Sequence, residues 1–98
     1  MQCIPMTKIE WTFNAETQLK EILGFYTRRN GSPQYSNRLK KKVWKVIRII
    51  RKNPYFGELI PGYENRRRFS IENFVLAYEH TGDVVYIHSF RDGRRDDE

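Results

Sequence analysis

The chain has one cysteine, Cys3, and two histidines, His80 and His88, in 98 residues. One cysteine forms no internal disulfide, which fits a reducing cytosol, and Cys3 with two distant histidines makes no zinc site. No apolar run approaches the roughly 18 residues of a membrane span. Residues 1–5 have neither the basic start nor the apolar stretch of a secretory signal. Repeats, low-complexity tracts and long linkers are also absent. A chain this short builds one core and has no room for a cofactor domain beside a substrate domain. The expectation is a cytoplasmic protein without cofactor, metal or membrane contact, with an N-terminal tail over 1–7 and one domain over 8–95.

Acidic residues are missing from one stretch in particular. Residues 38–52 hold eight basic side chains and no acid. Arg66, Arg67 and Arg68 add a second cluster, whereas residues 69–98 hold seven acids against three arginines. The net charge is +6. Such a layout suits a polyanion or an acidic protein partner, or else a solvated helix face.

What is present is strong periodicity. Residues 8–13 alternate, with Ile9, Trp11 and Phe13 on one face, and read as a half-buried strand. Asn14 is the expected N-cap of a helix whose apolar stripe is Ala15, Leu19, Ile22, Leu23 and Tyr26. Asn30-Gly31 ends it in left-handed geometry. Ser32-Pro33 starts a second helix, with Ser32 capping and Pro33 in the first turn. Its buried stripe is Tyr35, Leu39, Val43, Val46, Ile47 and Ile50, and Pro54 stops it near Asn53. So short a connection makes the helices antiparallel. Residues 54–65, rich in proline and glycine, read as a loop. Strands follow at about 67–71, 74–80 and 84–90, the last two joined by a turn at Thr81-Gly82-Asp83. The last strand looks apolar on both faces and hence central. Residues 91–98 read as a fraying polar tail. The fold class is α+β: an N-terminal strand, an antiparallel helical hairpin and a three-stranded antiparallel meander, in two layers with one sheet face open.

These pieces, in this order, resemble the RelE/ParE superfamily of bacterial toxins. The matching residues are Ile9-Glu10-Trp11 before a helix that starts near Ala15, and a lysine-rich helix ending Asn53-Pro54 with Gly57 three residues on. Arg67-Arg68-Phe69-Ser70-Ile71 then precedes Phe74-Val75-Leu76-Ala77-Tyr78, and Val84-Val85-Tyr86-Ile87-His88 precedes Phe90-Arg91-Asp92-Gly93-Arg94-Arg95. The resemblance spans about 8–95. It implies a toxin of a type II toxin–antitoxin system, silenced by a cognate antitoxin. RelE-like members cut messenger RNA, usually on the ribosome and without metal; ParE-like members poison DNA gyrase; a degenerate member would only bind nucleic acid or antitoxin. The charge layout puts the ribonuclease first, with the gyrase poison and the degenerate binding domain as alternatives.

Metal-free RNA cleavage needs a base for the 2′-OH, cations around the phosphate and an acid for the leaving oxygen. Arg67, Arg68, His88, Arg91 and Arg94 are the candidates for that work, with Glu79 or Asp92 as a base. His88 is either an acid–base group or a packed histidine; in plain alternation it shares a face with Tyr86 and Phe90. Val75 stands where RelE-like nucleases resemble one another in carrying an arginine, and no tyrosine follows Tyr86. Arg67 shares a sheet face with Phe69 and Ile71; Arg66 and Arg68 share the other with Ser70. Lys41, Lys45, Arg48 and Lys52 on the second helix, with Arg66, are the candidate nucleic-acid contacts. Tyr86 is the candidate base-stacking ring.

Overall fold

A computed structural model describes residues 7–93. Along the chain lie β1 (Lys8–Trp11), α1 (Phe13–Asn30), α2 (Gln34–Lys52), β2 (Glu58–Leu59), β3 (Arg66–Ile71), β4 (Phe74–Thr81) and β5 (Val84–Asp92). They make one five-stranded sheet in the order β1-β5-β4-β3-β2. β3, β4 and β5 form the expected antiparallel meander. β1 pairs parallel with β5, from Lys8↔Val84 to Trp11↔Ile87. The long excursion through both helices allows that parallel pairing, which no hairpin permits.

α2 supplies most of the helical core. Leu39, Val43, Val46, Ile47 and Ile50 are buried, against Leu76, Tyr78, Val85, Ile87 and Phe90 of the sheet. α1 buries only Ala15 completely, and Leu19, Ile22, Leu23 and Tyr26 pack half-buried against the core. Gly31 takes φ 66°, and its N–H bonds the Thr27 carbonyl, closing α1 in the left-handed geometry read from Asn30-Gly31. None of the helices described is long and apolar enough to cross a membrane.

Several local expectations are corrected. β1 ends at Trp11, because Thr12 rather than Asn14 is the N-cap: its hydroxyl accepts from the Ala15 N–H at 3.1 Å and donates to the Ile87 carbonyl at 3.0 Å. Phe13 thus opens α1 and is 84% exposed instead of sharing the buried face of Ile9 and Trp11. Asn14 instead donates to the His88 carbonyl at 3.2 Å. Pro33 sits at the cap of α2 itself, and the Ser32 hydroxyl accepts from the Gln34 N–H at 3.2 Å. The 54–65 loop contains β2, paired Glu58↔Arg68 and Leu59↔Arg67; two residues carry no periodicity to read. Arg91 and Asp92 extend β5 opposite Val75 and Phe74 instead of fraying.

At the other end, Thr7 is buried, its N–H donates to the Arg51 carbonyl and its own carbonyl accepts from Arg51 Nε, so it is part of the fold rather than of a tail. The remainder of the expected tails, 1–6 and 94–98, lies outside the described residues. β5 is flanked by strands on both sides, yet only its helix-side face is fully buried; Tyr86 on the other is 37% exposed.

The largest correction concerns β5 alternation. The β4–β5 ladder steps from Ala77↔Ser89 to Tyr78↔Ile87, which leaves His88 without a partner. This bulge shifts the period by one residue. Val85, Ile87 and Phe90 therefore all enter the core, while His88 stays on the open face with Tyr86. Phe90 does not share His88's face.

Candidate functional site

The alternation of β3 and β4 presents Arg66, Arg68 and Ser70, then Val75, Ala77 and Glu79, on the sheet face away from the helices. β5 adds Tyr86, His88 and Arg91. A groove of about 500 Å³ crosses this face between the α1 start and the 60–63 turn. Arg66, His88 and Arg91 line it, beside Tyr63, Ala77 and Ser89.

Glu79 holds two of the groove's lining side chains, His88 and Arg66. Its Oε1 lies 2.8 Å from His88 Nε2 and 3.8 Å from Arg66 Nε. Asn65 Nδ2 donates to its Oε2 at 3.4 Å. The His88 hydrogen bond, above all, holds the Glu79 carboxyl below its usual 4.5; the His88 and Arg66 charges add to that effect and partial burial opposes it. The Arg66 guanidinium also stands 4.9 Å from the Tyr63 ring centre, a cation–π contact. Arg68 is paired separately, 3.5 Å from Glu58 on β2. An imidazole oriented by a carboxylate beside a guanidinium can move a proton or bind an anion. Among the described residues, no group of three or more His, Cys, Asp or Glu side chains is placed to hold a metal ion.

The candidates from the sequence divide among three places. Arg66, Arg68, His88 and Arg91 share the open face. Arg67 lies on the helix side, where its Nη1 donates to the Gly57 carbonyl at 2.8 Å and the Tyr55 carbonyl at 3.4 Å, with the guanidinium 5.3 Å from the Tyr55 ring. It clamps the loop after α2 and does not reach His88. Lys41, Lys45, Arg48 and Lys52 are exposed on α2, in the other layer from Arg66, so the structure separates the five candidate nucleic-acid contacts. Arg94 lies outside the described residues. Val75 sits half-buried on the open face, opposite Arg91 and Ser70.

Sequence reading missed Glu79 as an organiser, and missed Asn65 and Tyr63. One signal was available for Glu79. A two-residue turn at Gly82-Asp83 sets Thr81 opposite Val84, and counting back sets Glu79 opposite Tyr86 on the open face. Asn65 and Tyr63 have no such signal, because an irregular loop delivers them.

A helical hairpin on one face of a mixed sheet, with a cation-lined groove on the other, is the α+β arrangement that the RelE/ParE resemblance implies. The model of the ParE toxin of the type II toxin–antitoxin system parDE matches residues 9–97. The chain belongs to that family. Among solved structures, a chain of the chromosomal ParDE toxin–antitoxin system from P. aeruginosa is 18% identical with a TM-score of 0.73, covering 89% of this chain and 96% of that one. Two structures of TrmO from Pseudomonas aeruginosa share the fold more loosely. One is 16% identical with a TM-score of 0.53, covering 91% of this chain and 34% of that one. The other is 15% identical with a TM-score of 0.51, covering 90% and 36%. No curated protein matches the sequence significantly.

Proposed function

We propose that the chain is a ParE-like poison of DNA gyrase, acting in the cytoplasm and silenced by a cognate antitoxin. The observation that carries the reading is the pairing on the open face. Glu79 and Glu58 already engage His88, Arg66 and Arg68, and Val75, uncharged, sits among them. Cleaving RNA without metal requires cations available to a phosphate whose charge grows in the transition state. Here both open-face arginines of β3 are paired with carboxylates, and the His88 ring is hydrogen-bonded to one of them. Family membership points the same way.

A second reading, a messenger-RNA endoribonuclease, is favoured by one specific observation. His88, hydrogen-bonded to Glu79, lines a groove together with Arg91, which places an acid–base group beside a cation.

The experiment is induction in a bacterial host with DNA damage and messenger integrity followed over minutes, alongside a supercoiling assay with purified gyrase. Gyrase inhibition and a DNA-damage response with intact messenger are expected. Messenger fragmentation without gyrase inhibition would transfer the function to the second reading. Normal growth with neither effect would leave a degenerate binding domain. For the antitoxin, a net charge of +6 suits an acidic segment that folds as it binds. Co-expression with the neighbouring small open reading frame should restore growth.

A further inference from the structure

We propose that the exposed face of α2 is a binding site for the phosphate backbone of duplex DNA, separate from the open-face groove. At 100° per residue, Lys41, Lys45, Arg48 and Lys52 fall within an arc of roughly 60° and form a column about 16 Å long. All four are exposed, and among the described residues none takes part in a salt bridge. The ion pair that α2 does make, Lys42 to Glu72 at 2.6 Å, lies off the column. No acidic residue occurs anywhere in α2 to neutralise it. The cations are thus spare, unlike Arg66 and Arg68.

The arrangement also discriminates between occupants. A protein interface has an apolar centre and a polar rim. Here the order is inverted: the column is wholly cationic, and the partly exposed Trp44 and Ile49 flank it on opposite sides, each roughly 70° from its centre. Single-stranded nucleic acid is held by rings on which bases stack. The column has no ring, and Trp44 beside it is already engaged edge-on by Trp11 at 6.2 Å. A straight row of free cations without apolar anchor or stacking platform matches the regular phosphate line of a duplex, read without sequence preference.

The test is fluorescence anisotropy of a labelled 20-base-pair DNA duplex with the full chain, from 50 to 200 mM salt and with no gyrase present. Its result is therefore independent of the gyrase reading, which the supercoiling assay tests. Four phosphate contacts predict a log–log salt slope of about −3.6, and hence a roughly hundredfold loss of affinity over that range. The double variant Lys45→Gln/Arg48→Gln should halve the slope to about −1.8. Lys8→Gln/Lys20→Gln removes the same charge from lysines paired with Glu10 and Glu16, and should keep the wild-type slope. Circular dichroism establishes that each variant is folded. Absence of binding at 50 mM salt would overturn the proposal, as would an equal drop in slope for both double variants. Tighter binding of single-stranded RNA, or displacement of the duplex by poly-glutamate at equal charge concentration, would overturn it in favour of RNA or an acidic protein.

Discussion

Tyr78→Phe removes one oxygen from the middle of the fold. The Tyr78 ring is fully buried on β4. Its hydroxyl donates to the Pro54 carbonyl at 2.8 Å and accepts from the Gly57 N–H at 2.8 Å. These two bonds tie the loop leaving α2 to the sheet, and Arg67 completes the tie through the Gly57 carbonyl. Phenylalanine keeps the ring packing, so no cavity term arises beyond one oxygen. What is lost is the partner of a buried N–H, which costs about 1–3 kcal/mol, and a bond to a partly solvated carbonyl worth about 1 kcal/mol. The sum is about 3 kcal/mol, a large share of the roughly 5–15 kcal/mol that stabilises a domain. For a chain of this size that lowers Tm by roughly 12–24 °C. Urea unfolding followed by tryptophan fluorescence, with hydrogen exchange of the Gly57 amide, gives both the total and its location. A loss below about 1 kcal/mol, or an unchanged Gly57 exchange rate, would refute the claim that this hydroxyl anchors the loop.

Gly57→Ala attacks the same tie from the other side: a Cβ there meets the Arg68 carbonyl and the Tyr78 hydroxyl, each at 2.9 Å. Overpacking should cost about 1–3 kcal/mol, read as a lower urea midpoint with unchanged m-value. Thr12→Val deletes the α1 cap and its bond to β5, and should cost about 1–2 kcal/mol with faster exchange at the Ala15 amide, while Thr12→Ser retains most of the stability. In alkali, burial first and the bond to Glu72 second push Tyr35 up to about 12, and burial also raises Tyr78. Folded values above the unfolded 10 mean that this stability is intact below pH 10 and is lost as pH rises through the folded values; Tyr35→Phe should flatten the alkaline limb of a urea-midpoint profile. In acid, Glu79 is held below 4.5, so its contribution is full above that pH and disappears as pH falls through the lowered value. Glu79→Gln should leave a shallower acid limb as pH falls below 4.5.

Much of the fold was legible because it is written in local periodicity. The α2 stripe from Leu39 to Ile50 repeats with the turn of a helix, and that face is the one buried. Arg67 was read on the same side as Phe69 and Ile71, and strand alternation alone decides that. The parts that were not legible depend on contacts between distant segments. Asn14 and Thr12 are both good caps; the Ile87 carbonyl, waiting 75 residues away, selects Thr12. β2 exists because β3 offers an edge to pair with. His88 reads as a facemate of Phe90 until the bulge, which the β4 register sets, turns one into the core and leaves the other on the groove.

The sequence by itself therefore determined the α+β class, the order of elements, the family resemblance and the common face of the α2 cations, since spacing along one chain places side chains on a helix or strand face. Only the tertiary structure decided which cations are committed. Arg66, Arg67 and Arg68 are identical and adjacent. Glu79, the Gly57 and Tyr55 carbonyls, and Glu58 divide them among a groove, a loop clamp and an edge pair. Whether a guanidinium is available to a ligand depends on what stands within hydrogen-bond reach of it, and across a sheet that is set by register rather than by neighbours in the chain.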